Sequence, residues 1–320
     1  MMATFLTAVR LVALAIVYFV CFAAVSGVLL APTAEQSGAN QPSQAGAALA
    51  ALLTVSFLNS AVLAYVIIRS RWAGWKLILT IFFVLYGVTT VLPQIETAFF
   101  LTRLPPGMLP RLFLAGAIIA AVFSPLAVLI LGKRKRGRGK DGAQDKASDK
   151  NYLRLNMPLG QWVGKLCLIV IIYVIIYFAF GYFIAWQSVA VRAYYGGRDP
   201  GSFLAQINSV MRETPWLITL QVVRAILWTA IAVPVIRMMK GQWWEAGLAV
   251  ALLFGVVATS LLLLPNPLMP REVRMAHLLE TATSNFLFGW LLLLVLCWRR
   301  RSEREPEPTE SGALPSSINR

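Results

Sequence analysis

The chain has 320 residues, of which 58% are hydrophobic and only 13% charged, and it carries a formal net charge of +15. A charged share about half the 25% usual in soluble domains excludes an ordinary globular or disordered protein. The excess of positive charge does not resemble a nucleic-acid footprint, because much of it abuts apolar stretches: Lys133, Arg134, Lys135, Arg136, Arg138 and Lys140 follow one of them, and Arg299, Arg300 and Arg301 follow another. That distribution fits the positive-inside rule and attraction to membrane lipids, so lipids are expected partners and nucleic acid is not.

Crossing the hydrocarbon of a bilayer as a helix takes roughly 20 apolar residues. Such stretches occur at approximately 11–30, 47–68, 75–93, 112–132, 162–188, 215–236, 245–264 and 276–297, which predicts an all-α integral membrane protein of eight spans. Arg10 and the small residues Ala31 to Ala34 give the first stretch some likeness to a signal peptide. Its apolar core of about 20 residues exceeds the usual 7–15, so a retained helix is expected. Cys21, Cys167 and Cys297 are scattered among the spans, a pattern that suggests neither a disulfide nor a metal cluster.

Lysines orient the chain. With both termini inside, Lys76, Lys133, Lys135, Lys140, Lys146, Lys150, Lys165 and Lys240 all fall in or beside cytoplasmic segments. The opposite loops hold arginines but no lysine, so N-in/C-in is the expected topology, in a plasma (inner) membrane.

Four spans precede a basic, Gly-rich segment at 133–160 and four follow it, dividing the chain into 1–132, a cytoplasmic linker, 161–298 and a tail at 299–320. Both halves carry an Ile-Arg and tryptophans between their second and third spans, IIRSRWAGW at 67–75 and VIRMMKGQWW at 235–244. Both reach their fourth span through proline and arginine, LPPGMLPR at 104–111 and LPNPLMPR at 264–271. Two parallel four-helix repeats related by an axis along the membrane normal are the expected architecture.

Polar residues break this symmetry. The first half has Glu96-Thr97-Ala98 at the outer end of its third span, and the second has Glu280-Thr281-Ala282 in its fourth. On the eighth span His277, Glu280, Thr281, Ser284 and Phe288 share one helical face, with Asn285 at its edge and Gly289 permitting close approach. Ionisable groups at membrane depth cost about 2.5–3.5 kcal/mol each on insertion scales, which marks them as functional candidates. Ser284 and Asn285 serve equally well as interhelical hydrogen-bonding groups. On the sixth span Gln221, Arg224 and Trp228 share a face, and Arg224 is too deep to snorkel. Its guanidinium needs an acid or an anionic ligand; Glu280 is the expected partner and Glu96 the other choice, with Glu96 otherwise a solvated loop residue.

Tyr173, Tyr177, Phe178, Phe180, Tyr182, Phe183 and Trp186 near the end of the fifth span read as an interfacial aromatic belt, with a cavity wall the second reading. Residues 203–211 have amphipathic spacing behind Ser202, predicting a capped surface helix. No HExxH, GxSxG, P-loop or dinucleotide fingerprint occurs, and no cofactor or metal is expected.

The expected function is transport of a small molecule or ion, at a substrate site built from Arg224, Glu280, His277, Glu96, Gln221, Ser284 and Asn285 in the outer half of the bundle. A small anionic or zwitterionic ligand suits these groups. The His277–Glu280 pair is expected to make binding or transport change between about pH 5.5 and 7.5. Alternatives are a membrane-embedded enzyme acting on a lipid or lipid-linked substrate, using His277, Glu280 and Glu96 as acid–base or metal-binding groups, and a non-catalytic assembly partner in which the polar groups only lock helices.

Overall fold

A computed structural model describes residues 2–30, 45–101, 104–134, 155–197, 199, 201–266 and 269–298. Most of the linker, the C-terminal tail and the 31–34 stretch lie outside the described residues. Eight helices are long and apolar enough to cross a membrane: Phe5–Leu29, Ala45–Ile68, Gly74–Phe100, Met108–Ile130, Leu159–Gln187, Trp216–Met238, Trp243–Leu263 and Arg271–Cys297, numbered here spans 1 to 8. Helix is the form such sequences take in lipid because it satisfies every backbone donor and acceptor internally.

Spans 3 and 7 carry π-helical turns. Span 3 is α-helical over Gly74–Tyr86, π-helical over Gly87–Val91 and α-helical again over Leu92–Phe100. Span 7 runs Trp243–Leu252, turns π-helical over Leu253–Val257 and ends in a 3-10 segment, Ser260–Leu263. The third span therefore extends beyond the expected residue 93, and Glu96 lies in helix rather than in a loop. Pro93 ends nothing, because it falls in the first turn of the segment that resumes after the π-turn, where its missing N–H costs little.

Within the first half, span 1 packs on spans 2 and 4, and span 3 on spans 2 and 4; within the second, span 5 packs on spans 6 and 8, and span 7 on spans 6 and 8. The halves meet where span 2 contacts span 7 and span 3 contacts span 6, with the two π-helical turns touching. Spans 1 and 5 are the most peripheral, with 17% of their most apolar window buried against 50–61% in spans 2, 3, 6 and 7. Tyr18 of span 1 accepts a 2.9 Å hydrogen bond from Asn59 of span 2 and stands edge-on to Phe123 of span 4. Tyr173 of span 5 accepts one at 3.2 Å from Trp228 of span 6 and packs on Phe288 of span 8.

At one end of the bundle, hereafter the linker end, the span 2–3 and span 6–7 loops pair. Ser70 and Met239 form an antiparallel bridge, with Arg71 N–H donating to Met238 O and Lys240 N–H to Arg69 O, both at 2.8 Å. Lys133 joins them at the end of span 4, its ammonium 2.9 Å from Ser70 O and its carbonyl accepting from Gly74 N–H at 2.8 Å. Gly74 has φ +59, and a Cβ there would press on Arg134 O at 3.1 Å.

Spans 7 and 8 approach so closely that a Cβ on Gly289 would lie 2.7 Å from Ala251 Cα. Backbone cannot move aside as a side chain can, so Gly289→Ala is expected to cost about 1–3 kcal/mol. Gly164 on peripheral span 5 has open space around it, and Gly164→Ala should be neutral or slightly stabilising. Thermal unfolding of both variants in detergent checks the contrast; equal effects would refute close contact between these spans.

Candidate functional site

Toward the end opposite the linker, four ionisable side chains converge from spans 3, 6 and 8. Arg224 and Glu280 lie eight and nine residues into their spans, roughly 12 and 14 Å of helix rise from that end. Arg224 Nη1 donates to Glu96 Oε1 in a close ion pair and to Gln221 Oε1 at 2.9 Å. The guanidinium is 7% exposed and the Glu96 side chain 31%, so the pair opens on the carboxylate side. The guanidinium also lies 5.8 Å from the ring centre of Tyr173.

The expected Arg224–Glu280 pairing is corrected by this arrangement. Glu280 instead takes His277, whose Nδ1 is 2.8 Å from Oε2, one helical turn away on the same face. The reason lies in packing: spans 3 and 6 meet where the halves join, bringing Glu96 to Arg224, while Glu280 faces span 5, where a Cβ on Gly181 would meet its Oε1 at 3.7 Å. The two pairs are not separate. Glu96 lies within electrostatic reach of Glu280 and His277, and the same charges reach Tyr173 and Tyr177.

Tyr195 closes the cluster from the side. It follows a short helix, Val189–Tyr194, and its hydroxyl is 3.2 Å from His277 Nε2, with the rings edge to face. Burial, with the neighbouring Tyr194 and the charges of Glu96 and Glu280 behind it, pushes the Tyr195 phenol well above its ordinary range, so it stays a donor. A donor on Nε2 leaves Nδ1–H of neutral His277 to donate to Glu280, giving a continuous chain Tyr195–His277–Glu280.

Among the described residues two donors in this cluster are buried without an acceptor: Gln221 Nε2 and Arg224 Nε. Each such group costs about 1–3 kcal/mol unless an acceptor reaches it, and calls for an explanation. Among the remaining candidates, Ser284 is buried and turns back to its own helix, 3.4 Å from Thr281 O. Asn285 is half-buried, and among the described residues no hydrogen bond joins it to the charged groups. Thr281 likewise bonds the His277 carbonyl of its own helix, at 2.5 Å.

The span 5 aromatics divide. Tyr173 is 3% exposed and belongs to the core, not to an interfacial belt. Its spacing with Tyr177 and Gly181 on one helical face was a usable signal, since a glycine there leaves room for a carboxylate. Tyr182 and Phe183 do pack outside, against Phe203 of the amphipathic helix Phe203–Glu213, which has no buried residue and whose Ser202 cap accepts from Ala205 N–H at 3.2 Å.

No protein family, curated protein or solved structure matches this chain. The fold and site therefore carry the functional reading by themselves: eight apolar helices that fit a polytopic membrane protein, with a cluster of charges buried among spans 3, 6 and 8. Among the described residues no three His, Cys, Asp or Glu side chains gather as a metal centre requires.

Proposed function

We propose that this protein is a transporter of a small zwitterionic solute, bound in the outer half of the bundle where the two halves meet. The observation that carries the reading is the mixed character of the cluster. Gln221 Nε2 and Arg224 Nε offer buried donors that a carboxylate would satisfy, and Glu280 offers a carboxylate to an ammonium group. Two acids against one guanidinium leave the cluster with an excess negative charge while His277 is neutral. A simple anion suits that balance less well than a zwitterion does, because it would deepen the deficit. Closed ion pairs that only lock helices need no orphaned donors.

The reading is tested on the purified chain by thermal shift against panels of small zwitterions, anions and cations, followed by uptake into proteoliposomes. Stabilisation by zwitterions that is lost in Gln221→Leu, with saturable uptake of the same compounds, is the expected result. Stabilisation by none, with cell function intact in the neutralised variants, would leave the helix-locking role.

The proposed architecture is two parallel repeats, spans 1–4 and 5–8. It is supported by the matched packing of the halves, the π-turns in spans 3 and 7, the Tyr18 and Tyr173 contacts and the reciprocal bonds of the paired loops, Arg71 to Met238 and Lys240 to Arg69. With the linker end cytoplasmic, the polar cluster faces outward. Cysteine introduced at Ser37 should then react with an impermeant reagent in intact cells and one at Ala143 should not; the reverse pattern would invert the topology.

A further inference from the structure

The linker end holds a second charged assembly that the transport reading does not use. Lys133, Lys240 and Arg69 are half-buried and crowd around the paired loops, one from the end of span 4 and the others from the two halves of the bridge. Among the described residues Glu245 is the acid beside them, and both of its oxygens are engaged by Arg69 Nη2. Lys133 feels the strain of the arrangement: burial, then the charges of Lys240 and Arg69, pull its ammonium below the usual lysine range. The Arg237 carbonyl accepts from Arg71 Nε at 2.7 Å, a further tie between the two loops. Trp72, Trp75, Trp243 and Trp244 surround the loops, and Lys76 stacks 3.9 Å over Trp72, the setting of a membrane interface.

Among the described residues three half-buried cations face one carboxylate here, flanked by tryptophans of the kind found at a membrane interface, and this excess calls for an anion with several acceptor oxygens. We propose that Lys133, Lys240 and Arg69 form a binding site for a phosphate-bearing anion at the seam between the two halves. Phosphate oxygens suit this set because lysines contribute point charges and arginine a planar fork of donors. Since its cations come from both halves, the anion would bridge them and stabilise the whole bundle, as any ligand bound only by the folded state does. The site is independent of the outer cluster, so failure of either proposal leaves the other standing.

The source of the phosphate is decided by thermal unfolding and lipid-binding measurements on the full chain in nanodiscs of phosphatidylcholine, with and without phosphatidylglycerol, and in detergent with inorganic phosphate or chloride at equal ionic strength. Stabilisation by phosphatidylglycerol alone assigns a lipid headgroup, and stabilisation also by inorganic phosphate assigns a soluble anion. In either case Lys240→Gln should weaken binding roughly fivefold, and Lys133→Gln similarly, as expected for one basic side chain near an anionic surface. Lys240→Arg keeps the charge and should retain binding, which separates loss of the site from misfolding. Equal stabilisation in all four conditions, or an unchanged affinity in both glutamine variants, would overturn the proposal.

Discussion

Arg224→Met is expected to destabilise the bundle by about 3–5 kcal/mol, the usual cost of stripping one partner from a buried pair. The loss arises on two fronts, because Arg224 faces Glu96 directly and lies within reach of Glu280. Removing it leaves two carboxylates at membrane depth with only His277 to balance them. Glu96→Gln should also be costly, and the double variant should recover part of the loss, since a neutral pair leaves no buried charge stranded. A cycle built with Glu280→Gln instead should show the smaller coupling, because Glu280 is held by His277 at 2.8 Å. Unfolding in detergent of the single and double variants gives both coupling energies. Equal values would mean that Arg224 divides itself between the two acids.

Glu280→Gln is expected to abolish solute binding for practical purposes, weakening it roughly 10- to 150-fold, the equivalent of one hydrogen bond to a charged group. The same carboxylate fixes the direction of the pH effect. A proton on His277 and the ammonium of the solute compete for Glu280, so the free site holds the proton more tightly than the occupied one. Binding should therefore weaken on acidification, because a proton on the imidazole occupies the carboxylate that the ammonium needs. The groups facing His277 besides Glu280 are Tyr195, which remains protonated, and the Glu96–Arg224 pair. His277→Gln removes the competitor: its affinity at high pH should be retained and its pH profile flat. Titration of binding in the three proteins decides the matter. An affinity that rises on acidification would show that proton and solute bind together rather than in exchange.

Much of the fold was legible because apolar length is a strong signal: the eight apolar runs are the eight helices long enough to span. Arg224, His277 and Glu280 were legible for a related reason: a charge kept in a span at such cost stands out. The partner of Arg224 was not legible. Helical periodicity says which residues share a face of one helix, whereas pairing depends on which helices touch, and span 3 meets span 6 where the sequence shows only two distant apolar runs. Glu96 was harder still, since Pro93 and the polar residues after it read as the end of a helix that continues for two more turns. Tyr173 was hidden by a good ordinary explanation, because aromatics near the end of a span usually mark the interface. Tyr195 was visible only as one of the aromatics beyond span 5; it follows a helix of six residues, too short for periodicity to place it over His277.

The π-helical turn of span 3 has an angular meaning. One extra residue in a helix advances the phase of everything beyond it by about 100°. Gly87–Val91 precedes Glu96, so the insertion dials that carboxylate around the helix axis, and Arg224 meets it at the setting now present. Shortening 87–91 by one residue would leave the chain just as greasy, just as long to within 1.5 Å, and just as able to span, with Glu96 aimed elsewhere. The hydrophobic profile is blind to that change; the electrostatics of the bundle are not.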